Sequence, residues 1–374
     1  MIENASIIFS NGLSEYDFGE GHPFRGSRYE LFKKFLNDNF SSKERYTLLE
    51  TGVASDEELL KICSREYIDF TRSYFNPENP PSQITGNFSR FHSGDNIPRE
   101  HHGRIEEAAR LIIGQVKQAC DLVSSGEYRK VISIGGGLHH AKPDYGEGFC
   151  IYNDVAFCGR YLLQEYRLSR ICIIDTDAHA GNGTCEYFYN NDKVLFIDLH
   201  QDPSTLYPGT GFTHEIGKGP GAGYTINLPM PPYSDIQSYE YVFEKVIEPV
   251  VNEFKPQIII RNGGSDPHYA DILTNLGLKL DGLYMLGKRV SELSTICDGK
   301  VIDLIASGYN MDILPCGWLA LIEGLLGYEL SVEEPSVDIP FPHMDNSLDT
   351  TITMVNQVRE ILQPYWNCFS ADQS

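Results

Sequence analysis

Apolar residues along this chain gather into short, nearly continuous runs, at 131–134, 171–174, 194–197, 257–260 and 301–305, broken only by Ser133 and Asp303 and opened by Gln257 in the fourth. A strand with one wet face alternates with a period of two, whereas a strand covered on both faces reads as continuous β-branched sequence. The runs therefore predict strands of a buried parallel sheet. Between them, apolar positions recur with helical spacing, most clearly over 104–125, 154–164, 236–253 and 283–295. Strand then helix, repeated, predicts an α/β fold in which a parallel sheet is sandwiched by helices. No internal repeat, low-complexity segment or shift of composition marks a linker, so a single domain over 1–374 is expected.

The polar and glycine-rich signals stand directly after these runs. They are Gly135-Gly-Gly-Leu-His-His140, Asp175-Thr-Asp-Ala-His179, Asn262-Gly-Gly-Ser-Asp266 and Ser307-Gly-Tyr309. In open α/β sheets, ligands bind outside the carboxyl ends of the strands, so these loops are expected to form one site. Side chains alternate along a strand, which would turn Asp175, Asp177 and His179 to the same side. Carboxylates and an imidazole gathered at the mouth of a buried strand are costly unless a cation neutralises them or hydrogen bonds satisfy them. With Asp266 as a third carboxylate, Asp177, His179 and Asp266 suit a catalytic Zn²⁺ or Fe²⁺ with an open position for water. Taken singly, Asp266 also reads as a turn residue or helix cap.

Activated water attacking a carbonyl needs a base to take its proton and an acid to protonate the leaving group. Two adjacent imidazoles, His139 and His140, match those tasks near neutral pH. Asp175 and Asn182 can each orient one of them, and Tyr309 can donate to the oxyanion that forms. A carboxylate partner makes an imidazole more basic than an amide does. If Asp175 serves His139 and Asn182 serves His140, His140 is the better general base.

Length and composition narrow the class. At 374 residues, 41% hydrophobic, the chain can bury a large core, and no run of about 18 apolar residues predicts a membrane span. Fifty-two acidic against thirty basic residues give a formal charge of -22, which disfavours nucleic acid. Nine scattered cysteines without a Cys-x-x-Cys pair predict neither a disulfide framework nor a structural zinc site. The first residues lack a basic segment followed by an apolar one, so a cytoplasmic enzyme is expected.

Six segments together resemble the histone deacetylase superfamily, also called the arginase/deacetylase fold, and within it the acetoin-utilisation-type and class I-like prokaryotic members. They are Tyr16-Asp-Phe-Gly-Glu-Gly-His-Pro-Phe-Arg-Gly-Ser-Arg28, 135–154, 175–184, Thr205-Leu-Tyr-Pro-Gly-Thr-Gly211, 264–278 and 307–318, in the family's order across nearly the whole chain. The resemblance implies a zinc-dependent deacetylase with Asp177, His179 and Asp266 as metal ligands, His139 and His140 as the tandem histidines and Tyr309 as the transition-state tyrosine. It implies that Phe149, beside Gly148, and Tyr207 wall the acyl-lysine tunnel. Arg28 would line an internal acetate channel, and Asp95 would hold substrate backbone at the rim. It also implies structural potassium, bound by backbone carbonyls of Asp175, Asp177, His179 and Leu199 at an inner site and of Phe188, Asn191, Val194 and Tyr224 at an outer one.

Three positions depart from the family pattern: Ala180 replaces a histidine, Asp198 a common serine, and Ser307 a common glycine. None is a catalytic group. The substrate implied is an acetylated lysine on a protein or peptide, with acetylpolyamines or other small acylated amines as the alternative. Polyamine-selective relatives carry an acidic residue at the rim, and the matching position here is Leu273. A non-catalytic acyl-lysine binder fits less well, because ligands, histidines and tyrosine are all present. Arginase-like chemistry needs a two-metal carboxylate cluster, for which the chain offers too few candidates.

Overall fold

The computed structural model describes residues 5–40, 45–76, 78, 87–99, 104–337 and 347–370. Eight strands, β1 (Ala5–Ile8), β2 (Thr47–Leu49), β3 (Lys130–Ile134), β4 (Ile171–Asp175), β5 (Val194–Gln201), β6 (Thr225–Met230), β7 (Ile258–Gly263) and β8 (Val301–Ile305), form one parallel sheet in the order β2-β1-β3-β8-β7-β4-β5-β6, flanked by helices. The five strands expected from continuous apolar sequence are all present, and every residue of each is buried. Three strands left no such signature. β1 has four residues, β2 has three that are mostly exposed, and β6 contains Pro229, which cannot donate to a ladder.

The chain divides into two compact units. One comprises residues 1–167 with Asp303–Ala306, and holds β1–β3 and the helices Ser27–Asn39, Arg65–Tyr74, Ile105–Ser125 and Asp154–Glu165. The other comprises Leu168–Ile302 with Ser307–Ser374, and holds β4–β7 and the helices Leu280–Leu293, Leu314–Leu326 and Ser347–Leu362. In the second unit the register sets Ile171 of β4 opposite Val194 of β5 and Ile258 of β7. Four residues on, Asp175 therefore stands opposite Asp198 and Asn262.

One helix differs from its pattern. Residues 236–253 have continuous apolar spacing, yet the helix is broken into Ile236–Val242, a π turn at Phe243–Ile247, and Glu248–Phe254. Pro249 explains the interruption, because it lacks the N–H that would bond the carbonyl four residues back, and its ring crowds that carbonyl. The wider turn accommodates both. Among the described residues no helix is long and apolar enough to cross a membrane, and none of the nine cysteines forms a disulfide.

In the first unit His92 is 1% exposed, ringed by Tyr67, Phe70, Phe75 and Phe88, with Nε2 3.0 Å from the Thr71 hydroxyl. Burial pushes its pKa down to about 3. Below pH 6.5 the unfolded chain therefore binds a proton that the folded chain refuses. The contribution is complete above pH 6.5 and is lost as pH falls toward 3. At pH 5 the loss is about 2 kcal/mol at 1.36 kcal/mol per unit. Urea unfolding at pH 7 and pH 5 should show a smaller drop for His92→Gln than for the wild type; equal drops would exclude this role.

Candidate metal centre and active site

β4 ends at Asp175, so the expected strand alternation does not itself carry Asp177 and His179. Hydrogen bonds within the loop after β4 orient them. Asp175 Oδ1 accepts from Asn262 Nδ2 at 2.9 Å and from the Asp177 backbone N–H at 3.2 Å, which turns its carboxylate toward β7. Asp177 Oδ1 accepts the His179 backbone N–H at 2.8 Å and lies 3.0 Å from His179 Nδ1. Asp266 Oδ2 lies 3.2 Å from the same Nδ1. One ligand atom each from Asp177, His179 and Asp266 thus falls within 4.8 Å of the others, and all three residues are buried.

The electrostatics favour positive charge at this point. Burial and then the Asp177 carboxylate push the Asp266 pKa up to about 8. Burial alone would lower His179, but Asp177 and Asp266 outweigh it and push the imidazole up to about 10. A carboxyl and an imidazole in this desolvated cluster are thus both pushed toward their protonated forms. A borderline-soft divalent cation that accepts two carboxylate oxygens and one imidazole nitrogen fits this donor set, and its binding would displace those protons.

The tyrosine loop is pinned to the Asp266 loop at close range. The Ser265 N–H donates to the Ser307 carbonyl at 3.0 Å, Trp318 Nε1 donates to that carbonyl at 2.8 Å, and the Ser307 hydroxyl donates to Asp266 Oδ1 at 2.6 Å. Gly308 adopts φ +121°, and a Cβ there would stand 2.0 Å from Ser265 Oγ, so no other residue fits. Asp271 Oδ2 accepts the Tyr309 N–H at 2.7 Å while its Oδ1 accepts the Leu273 N–H at 2.9 Å. Asn310 Nδ2 adds a bond to the Ala270 carbonyl at 2.8 Å. Half-buried, the Tyr309 ring lies edge-on to His179 at 6.2 Å between centroids.

In the first unit, the helix Asp154–Glu165 holds the histidine loop from its N-terminus. The Asp154 carboxylate accepts the backbone N–H groups of Gly137 and Leu138 at 2.8 and 2.7 Å. Asn153 caps the helix through the Ala156 N–H, and its Nδ2 donates to the carbonyls of His139 and Ala141. So held, His139 Nε2 lies 3.1 Å from His140 Nε2, one ring donating and the other accepting. Gly148 has φ +60°, and a Cβ there would meet the His140 ring at 2.3 Å, so the glycine lets the backbone before Phe149 pass close against the histidine.

Phe149 packs edge-on against His22 at 4.6 Å, within a cluster that includes Phe18 and Phe24. His22 Nε2 lies 3.0 Å from the Asp95 carbonyl. The Asp95 carboxylate accepts the Gly148 N–H at 3.0 Å and also the Ser93 hydroxyl, so here it braces the backbone next to Phe149. Arg28 is fully buried. Its guanidinium lies 3.8 Å over the Phe24 ring and donates to the carbonyls of Ala306, Arg25 and Pro23.

The remaining expected residues belong to the second unit. Asn182 opens the helix Asn182–Phe188, and Tyr207 is 43% exposed in the segment joining β5 to β6. Leu199 and Val194 lie in β5, the Asn191 N–H donates to the Phe188 carbonyl at 2.9 Å, and the Tyr224 carbonyl accepts the Phe196 N–H at 2.8 Å. Of the departures, Ala180 is buried, and Asp198 accepts the Gly181 N–H at 2.9 Å while standing 3.1 Å from the buried His200 Nδ1. The extra acid is therefore paired with a histidine. Asp271, Asn153, Asp154 and His22 escaped the sequence reading because they act on backbone groups or on packing, which no motif spacing displays.

A family model described as the histone deacetylase domain matches residues 22–325. A "Probable deacetylase" of Archaeoglobus fulgidus is 34% identical over 371 residues, covering 97% of this chain and 99% of that one. "Acetoin utilization protein AcuC" of Staphylococcus xylosus is 35% identical over 329 residues, covering 87% of this chain and 84% of that one. The solved HDA15 HD domain superposes with a TM-score of 0.80 at 24% identity, covering 98% of this chain and 97% of that one. At that identity it speaks for the fold.

Proposed function

We propose that this chain, which belongs to the histone deacetylase family and is therefore an amidohydrolase, removes acetyl groups from lysine side chains to give lysine and acetate. The buried Asp177, His179 and Asp266 trio, with Tyr309 held beside it, carries the reading. A divalent cation bound by the trio, Zn²⁺ or Fe²⁺, supplies Lewis-acid polarisation of the acyl carbonyl and makes water acidic enough to attack near neutral pH.

The chain's own groups do the rest. The Tyr309 hydroxyl donates to the oxyanion, and the tandem histidines take the proton from the attacking water and return it to the leaving amine. Asp175 and Asn182 are assigned to orienting those imidazoles. Phe149 and Tyr207 enclose the lysine methylenes, Asp95 steadies the rim, and Arg28 marks the way out for acetate. The same reading takes residues 1–374 as one catalytic domain in the cytoplasm, with potassium on the backbone carbonyls of the segments around Asp175, Leu199, Phe188 and Tyr224.

Lysine is favoured over polyamine by Leu273. An apolar rim residue, next to an Ile272 that is 67% exposed, gives a distal ammonium no partner and partly desolvates it, while packing well against a lysine stem. The formal charge of -22 attracts polycations, but at ~0.15 M salt charges beyond roughly 8 Å are screened, so the rim decides. Acetyl-lysine peptides should exceed acetylspermidine in kcat/KM by at least about tenfold, or roughly 1.4 kcal/mol of transition-state binding. Leu273→Glu should move the preference toward the polyamine. If acetylspermidine is the better wild-type substrate in ~0.15 M salt, the small-amine alternative replaces this one.

A further inference from the structure

The two carboxylate oxygens of Asp266 serve different partners. Oδ2 faces the trio, 3.2 Å from His179 Nδ1, whereas Oδ1 accepts the Ser307 hydroxyl at 2.6 Å. A serine hydroxyl has one hydrogen to donate, and at this distance to a carboxylate it is committed. Nor is Ser307 free to drift, because it is 7% exposed and its carbonyl is gripped by both the Ser265 N–H and Trp318 Nε1. An aspartate so held turns one oxygen to a cation and keeps the other on the protein.

We propose that Ser307 is a positioning residue for the metal site, holding Asp266 as a ligand through one oxygen and tying that ligand to the loop that bears Tyr309. The proposal rests on the reading that Asp177, His179 and Asp266 bind a divalent cation. It gives a chemical role to a side chain that replaces the glycine common at this position. Without the hydroxyl, the Asp266 carboxylate can rotate, and each geometry it then samples without a cation must be given up on binding.

Equilibrium transfer of Zn²⁺ from the full-length holoenzyme to a chromophoric chelator tests this. Ser307→Ala should weaken zinc binding by about tenfold or more, the scale on which outer-shell partners act. Ser307→Thr, which keeps the hydroxyl, should stay close to the wild type, and chelator-stripped Ser307→Ala should still melt cooperatively, so that the zinc affinity is read on a folded protein. Ser307→Gly removes the same hydroxyl and serves if the alanine variant folds poorly. Equal zinc affinity in wild type and in the alanine or glycine variant overturns the role of Ser307. A different result marks failure of the underlying reading: Asp266→Ala binding zinc as tightly as the wild type.

Discussion

Asp266→Ala is expected to leave the purified protein without stoichiometric metal and without measurable turnover. The variant removes one of three ligand groups from a site whose other members are one carboxylate and one imidazole. It also removes the acceptor of the Ser307 hydroxyl. The fold should survive, because the lost group is one that folding strains. Burial and the neighbouring Asp177 push its pKa up to about 8, so an ionised Asp266 without a cation opposes folding. Metal analysis of the purified variant beside a deacetylation assay checks both halves. Stoichiometric metal with normal rates would refute the assignment.

Tyr309→Phe should keep metal and substrate binding yet lose on the order of 10²–10³ in turnover, the usual cost of deleting one oxyanion donor. The anchoring of the loop does not depend on the phenol. Asp271 takes the Tyr309 backbone N–H, Asn310 reaches the Ala270 carbonyl, and the Ser307 carbonyl is held by Ser265 and Trp318. Phenylalanine therefore keeps the ring in place and subtracts only the hydroxyl. Steady-state kinetics should show the loss in kcat with KM little changed. Wild-type turnover in the phenylalanine variant would remove the tyrosine from the mechanism.

Burial and fixed spacing are the two properties that made parts of this molecule legible in its sequence. Continuous runs such as 171–174 announced the central strands, because a strand covered on both faces needs apolar residues at every position. The convergence of Asp177, His179 and Asp266 was legible because few other arrangements excuse so many polar groups after buried strands. The short β1 and the mostly exposed β2 were not, since neither buries enough side chain to leave a pattern. Pro249 was visible, but its effect was taken up by a π turn that periodicity cannot register. Long-range side-chain to backbone bonds were equally hidden. Asp154 to Gly137 spans seventeen positions and Asp271 to Tyr309 thirty-eight, and nothing local in the sequence links them.

Asp271 has a consequence for any attempt to redesign selectivity. One half-buried carboxylate holds both the backbone N–H of Leu273 and that of Tyr309, so under the proposed roles recognition and rate are linked through a single group. Exchanging only the side chain at position 273 leaves that linkage intact and reports on recognition alone. Inserting or deleting residues between 271 and 273, or introducing proline at 273, would remove or shift an amide that Asp271 holds and carry the disturbance to the tyrosine. Under the proposed roles, a change of acyl or amine preference is therefore reached more readily by a point substitution at position 273 than by remodelling of the loop.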